Sequence, residues 1–191
     1  ALKVFGPDSS LSHDERRRRA KMINYALLYG KTAFTLSKDL GVTPQAAQEI
    51  IDAYFAGFPR VRQFIDRTLE EARVTGVVKT LYGRRRLVPE LVSRDFQRRS
   101  AAEREAVNMP IQGTAADIMK RAMIDVHQAL AGDASARMIL TVHDELLFEV
   151  RHDRAEKVAR LVRDRMQSAA TLAVPLTVDV GIGPNWKEAK H

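Results

Sequence analysis

Between Ser12 and Gly30 the chain carries both ends of a helix and a two-faced middle, and this stretch limits the fold more than any other. Ser12 followed by Glu15 is a capping box, and Gly30 supplies the residue type that closes a helix in the left-handed conformation. At about 100° per residue, Arg17, Lys21, Tyr25 and Tyr29 drift along one face, while Ala20, Ile23, Ala26 and Leu27 gather on the other. A helix over 13–29 with a cationic-aromatic face is the expectation. Two cations one turn apart suit a triphosphate, and an aromatic a turn further on suits a base. The same spacing also describes a solvated charged surface with tyrosines at its rim, so by itself it leaves both readings open.

The punctuation continues downstream. A helix over 33–40 should end at Gly41, Thr43-Pro44 should start one reaching about Ala56, and Phe58-Pro59 another ending near Gly76. Phe55, Phe58 and Phe64 read as core. Val77 to Leu81 and Arg86 to Pro89 flank Tyr82-Gly83, which predicts a small hairpin with Arg84, Arg85 and Arg86 at its tip. Ser93 is the expected cap of a helix that Pro110 breaks or kinks, since proline lacks a donor and clashes one turn back; helix resumes through Thr114 to Leu130. Two strands, 136–142 and 145–150, should turn at His143-Asp144. Asp153 then caps a last long helix with the stripe Ala155, Val158, Ala159, Val162 and Met166, and Leu176 to Ile182 forms a closing strand. Helices first, then sheet and helices, make an α+β chain with a helical lobe and a sheet-based one.

Composition narrows the function. The 191 residues contain no cysteine, which excludes disulfide scaffolds, thiolate metal sites and cysteine nucleophiles and permits a reducing cytoplasm. Apolar runs fall far short of the roughly 18 residues of a membrane span, and no signal-peptide pattern opens the chain, so a soluble, cytoplasmic protein without membrane partners is expected. A net charge of +7 favours a polyanionic partner, and the charge is clustered at Arg16 to Arg19, at Arg84 to Arg86, and at Arg94, Arg98 and Arg99. The opening at Ala1, with no initiator methionine, leads us to expect a piece of a longer protein.

Two further segments could carry chemistry. His143-Asp144-Glu145 puts adjacent carboxylates at the end of a hairpin, where they could ligate metal, although Asp and Glu are also ordinary turn residues and a metal pair wants a further carboxylate. Asn108 to Thr114 offers amides beside a proline, able to bond base edges or to do nothing beyond shaping a kink.

In this order, these segments resemble the C-terminal polymerase region of family A DNA polymerases of the bacterial DNA polymerase I type. Arg17 to Gly30 resembles the fingers helix, Thr80 to Arg86 the fingers-loop motif, Asn108 to Asp117 the segment beside the primer-template minor groove, and Val142 to Glu145 the palm hairpin. Val180 to Gly183 with Trp186 fits the family's C-terminus. The resemblance implies fingers over 1–90 and part of a palm over 91–191, the latter with an antiparallel sheet and packed helices. It implies that Arg17 and Lys21 hold the phosphates of an incoming deoxynucleoside triphosphate, with Lys21 also protonating the leaving pyrophosphate, while Tyr25 and Tyr29 meet its sugar, base and template side. Asp144 would ligate the catalytic metal, two Mg²⁺ ions in the complete enzyme, with Glu145 and His143 supporting the primer end. Arg84, Arg85, Arg104, Asn108 and Gln112 would contact DNA. The hydroxyl of Tyr25, where bacterial members often carry Phe, is associated in the family with acceptance of nucleotides lacking a 3′-OH.

The family's other palm aspartate motif precedes the fingers helix and is not in this sequence. The isolated chain is therefore expected to be inactive and to need the missing N-terminal part of the polymerase, in cis or as a second chain. A non-catalytic nucleic-acid-binding module derived from such an enzyme is the alternative; a metal-dependent phosphohydrolase using Asp144 and Glu145 is disfavoured because nothing else is spaced to complete its site.

Overall fold

The computed structural model describes residues 12–189, so the opening at Ala1 lies outside the described residues. The chain divides into two compact units, the first running to Gly113 and the second starting at Thr114. The α+β class holds: helices carry most of the chain, with two small antiparallel sheets.

In the first unit, α1 (His13–Leu28) starts where Ser12 Oγ accepts the Glu15 amide. It closes with Gly30 at φ +70°, the Gly30 amide bonding the Leu27 carbonyl and the Lys31 amide the Ala26 carbonyl, a double closure that requires left-handed backbone at position 30. Three more helices follow, α2 (Ala33–Leu40), α3 (Pro44–Gly57) and α4 (Pro59–Thr75), with Thr32 and Thr43 capping the first two through their hydroxyls. Ile23, Ala26 and Leu27 of α1 bury against Leu36, Ala47 and Tyr54, and Phe55 and Phe58 pack around them. Tyr54 donates to Asn24 Oδ1 at 2.5 Å, and burial raises its pKa.

The predicted hairpin forms from β1 (Val77–Lys79) and β2 (Arg85–Leu87), with Val78 facing Arg86. The three arginines are not all at the tip, however: Arg85 and Arg86 belong to β2, and only Arg84 lies in the turn. A second core joins Ala72, Val78, Val88 and Leu91 to Ala102 and Ala106 of the long helix α5 (Phe96–Ala129). One expectation about α5 fails, and of the two outcomes expected at Pro110 the break does not occur. Its N-terminus is capped by Asp95, whose Oδ1 accepts the Gln97 and Arg98 amides, while Ser93 Oγ accepts the Asp95 amide one step earlier. Pro110 does not break the helix. It removes one donor, but Ala102, Ala106 and Val107 are buried before it and Ala122 and Val126 after it, and that burial keeps both flanks helical.

In the second unit, β3 (Ala136–Val142) pairs antiparallel with β4 (Glu145–Val150), and Met138, Phe148 and Val150 pack with Val126 of α5 and with Val158 and Val162 of α6 (Ala155–Gln167). The register slips between Met138 and Leu140, leaving Ile139 as an extra residue, a bulge that alternation alone did not announce. Asp153 does not cap α6. It sits in a 3₁₀ turn (His152–Arg154) and binds the Arg151 guanidinium, which lowers its pKa and raises that of Arg151. The closing strand is absent too. Leu176, Val178 and Val180 are half-buried and Thr177 and Asp179 exposed, but among the described residues this segment has no ladder partner, and alternation sets a face without setting a pairing. The chain ends its described part in the short helix α7 (Trp186–Ala189).

Candidate functional site

The first unit brings four of the predicted residues onto one exposed stripe of α1. Arg17 and Lys21 face solvent, and the Lys21 Nζ lies 5.9 Å from the centroid of the Tyr25 ring. Tyr25 in turn stacks on Tyr29, their centroids 6.3 Å apart and their planes 20° from parallel. The rings are 49% and 40% exposed, so they are ordered by each other rather than by burial and keep faces open to a ligand. Arg19, from the same basic run, is turned inward to Glu15 at 2.8 Å.

The end of this helix meets the helix that carries the predicted minor-groove residues. A Cβ built on Gly30 would lie 2.9 Å from Cγ of Arg104, so the aliphatic stem of Arg104 rests on the backbone of Gly30. The Arg104 guanidinium is tied back to Ser100 Oγ at 3.0 Å. Asn108 and Gln112 follow one and two turns later on α5, half-buried and exposed respectively.

The hairpin loop is organised by Thr80, whose role sequence reading missed. Thr80 is buried; its Oγ1 accepts the Arg84 amide at 3.0 Å, its own amide bonds the Arg84 carbonyl at 2.9 Å, and its carbonyl accepts from Gly83 at 3.0 Å. The signal was available, because a β-branched hydroxyl directly before a Gly-containing turn is placed to bond that turn. Arg86 is held by Glu105 of α5 at 2.5 Å, whereas Arg85 is exposed without an ion pair among the described residues. The hairpin is therefore pinned to α5 on one side and presents cationic side chains on the other.

In the second unit, Val142 pairs with Glu145, so His143 and Asp144 alone make the turn between β3 and β4. His143 has φ +53°, and among the described residues no other non-glycine adopts positive φ. Such backbone costs about 1 kcal/mol or more outside glycine and recurs where function demands it. Asp144 is exposed beside it, and Glu145 is half-buried at the first position of β4.

Residues 1–188 match the profile described as DNA polymerase family A. The chain belongs to that family. It is 50% identical over 191 residues to the thermostable DNA polymerase I of Thermus filiformis, covering all of this chain and 23% of that protein. It is 51% identical to the DNA polymerase I of Pseudomonas aeruginosa, covering 99% of this chain and 21% of the other. The chain thus spans about a fifth of the length of the curated relatives it matches. Among solved structures, the POL domain of Pol1 from M. smegmatis, in complex with DNA primer-template and dNTP, superposes with a TM-score of 0.92 at 42% identity, covering 100% of this chain and 34% of that one.

Family A DNA polymerases are metal-dependent, which sets a test for the palm hairpin. Asp144 and Glu145 offer oxygen donors, the chemistry hard divalent cations prefer. Among the described residues no cluster of three or more His, Cys, Asp or Glu comes together. The pair fits as part of a metal site and does not make one alone. Among the same residues no helix is long and apolar enough to cross a membrane.

Proposed function

We propose that this chain supplies the fingers (1–90) and part of the palm (91–191) of a template-directed DNA polymerase. Its substrates are deoxynucleoside triphosphates and primer-template DNA, and the remaining palm is supplied in cis or by a second polypeptide in the cytoplasm. The observation that carries this reading is the exposed Lys21–Tyr25–Tyr29 array on one helix face, since a cation in line with two stacked, half-open rings meets the needs of a nucleotide's phosphates and base together.

Arg17 and Lys21 neutralise the triphosphate. Tyr25 packs on the nucleotide's sugar and base, and Tyr29 meets the template side. Arg84, Arg85, Arg104, Asn108 and Gln112 grip the primer-template, the last three through minor-groove acceptors common to every correct pair, which checks geometry without reading sequence. Asp144 would hold Mg²⁺, two ions in the complete site, and bound magnesium supplies charge neutralisation at the phosphates. Glu145 and His143 steady the primer end. The primer 3′ hydroxyl releases its proton to water as its oxygen bonds to the α-phosphorus and the bond to pyrophosphate breaks, and Lys21 gives the departing pyrophosphate a proton that solvent restores. Catalysis then rests on positioning and neutralised charge.

Mg²⁺-dependent primer extension tests this with residues 1–191 alone, and with the upstream polymerase segment restored in cis or in trans. The expected result is no incorporation by the chain alone and extension on restoration, abolished by Asp144→Asn and lowered by two or more orders of magnitude by Lys21→Ala. Restored protein that binds primer-template yet never extends it is a non-catalytic module, and the proposal fails.

A further inference from the structure

The third basic cluster, Arg94, Arg98 and Arg99, has no part in the reading above, and the structure surrounds it with an unexpected neighbour. Phe96, the first residue of α5, is 72% exposed, and Val92 just upstream equally so. A phenylalanine ring left in water at the start of a helix contributes nothing to a core. It is nevertheless fixed: the Arg99 guanidinium lies 5.7 Å from the ring centroid, and the same guanidinium donates from Nη1 to the Ser93 carbonyl at 2.9 Å. Arg99 thus serves as a brace for the ring, while most of the ring remains in solvent.

The charge around it is net positive. Arg94 and Arg98 are exposed and make no ion pair among the described residues. The nearest carboxylate in sequence, Asp95, accepts the Gln97 and Arg98 amides and offsets part of this charge without forming an ion pair among the described residues. Glu103, two turns along α5 on the Phe96 side, is bound by Arg73 at 2.6 Å. Three arginines against Glu90 and Asp95 leave the patch net positive, and the open aromatic side chain of Phe96 lies between Arg94 and Arg98 in sequence. That combination suits a partner that is at once polyanionic and offers flat aromatic faces. Unpaired DNA does so, whereas duplex DNA hides its bases in the stack.

We infer that the start of α5 is a docking platform for single-stranded DNA, on which Phe96 stacks a base while Arg94 and Arg98 hold the neighbouring phosphates. The inference rests on the polymerase reading, which makes DNA the relevant polyanion and brings an unpaired template strand with it.

The test is fluorescence anisotropy of the chain with labelled oligothymidylate and, separately, with a blunt duplex of equal length. Phe96→Ala should weaken oligothymidylate binding about five-fold or more, the lower end of what one stacked base contributes, and leave the duplex unchanged. Phe96→Trp should keep or strengthen single-strand binding; since the side chain is exposed, neither variant endangers folding. Arg94→Gln with Arg98→Gln should lower the single-strand salt slope by about 0.7 for every phosphate no longer neutralised. Equal losses on both DNAs, no loss on either, or an effect of Phe96→Ala on self-association alone would each overturn the platform. Wild-type chain that binds neither DNA would also overturn the platform, whereas the polymerase reading fails only if the protein with its upstream segment restored binds primer-template and does not extend it, so the two failures are distinguishable.

Discussion

Replacing Gly113 with alanine should destabilise the protein, although in an ordinary helix interior the same change gains about 1 kcal/mol from helix propensity. The reason is what the new methyl meets. A Cβ at Gly113 would lie 2.6 Å from Cγ2 of Thr80 and 2.8 Å from Sδ of Met109, well inside the 3.4–4 Å of ordinary contact. Met109 is an unbranched thioether and can swing aside at little cost. Thr80 cannot, because it is buried, β-branched and committed through Oγ1 to the Arg84 amide, so rotating it away gives up a hydrogen bond of about 1 kcal/mol. Overpacking of this kind costs about 1–3 kcal/mol, and after the helical gain the net loss should be about 1 kcal/mol. Thr80→Ser removes the offending methyl and keeps the hydroxyl. In that background Gly113→Ala should be neutral or stabilising, giving a coupling of about 1–2 kcal/mol in a double-mutant cycle. Urea unfolding of the four proteins, compared at constant m, measures it. Stabilisation by Gly113→Ala with Thr80 intact, or additivity within about 0.5 kcal/mol, would refute the claim that Thr80 is wedged between the hairpin loop and α5.

Three other perturbations probe separate links. His143→Gly relieves the φ of +53° and should raise the melting temperature by the equivalent of up to about 1 kcal/mol, whereas His143→Val, whose branched side chain tolerates that backbone worst, should lower it; equal stability of the two would remove the case for a strained turn. Folding lowers the Asp133 pKa below its ordinary 3.8, chiefly through hydrogen bonds from Ser135 and then through Arg154, so its stabilisation is complete above 3.8 and is lost as the pH falls through the folded value. Asp133→Asn should therefore cost stability at neutral pH and converge with wild type in acid, and a constant difference from neutral pH down into strong acid would contradict this. In the complete polymerase, Tyr25→Phe should raise discrimination against dideoxynucleotides by orders of magnitude, read as a ratio of single-turnover rates.

The helices were legible because their ends are written in single residues. Ser12, Thr43, Gly41 and Gly76 act through local backbone geometry, which needs no knowledge of the rest of the chain, and each sits at the boundary it announced. The β3–β4 turn was legible for the same reason. Failures came where a distant partner decides. Ser93 and Asp95 are both competent caps, and the choice between them depends on how the chain leaves the 3₁₀ turn at Pro89–Val92 and enters α5. Pro110 carries a local rule that burial on both flanks overrides. Asp153 had a helix to cap and an arginine two residues back, and the charge-assisted pair won. On the candidate site, the cationic-aromatic stripe of α1 followed from a four-residue spacing. The contacts of Gly30 with Arg104 and of Thr80 with Gly113 did not, since they join residues far apart in sequence, and glycine, having no side chain, gives no sign of what leans on it.

The arginine clusters show why a basic run in sequence is not yet a binding surface. In each, one guanidinium is used internally: Arg19 on Glu15, Arg86 on Glu105, and Arg99 on the Ser93 carbonyl and the Phe96 ring. In each, others stay exposed without an ion pair among the described residues: Arg17, Arg85, and Arg94 with Arg98. The internal member shapes the element from which its neighbours project, so the two roles are linked. Glu105 helps position the exposed Arg85 although its own charge is negative, because its pair with Arg86 ties the hairpin that carries Arg85 to α5. The net charge of +7 is therefore unevenly used, since within each basic cluster one guanidinium is bound internally and the rest remain exposed.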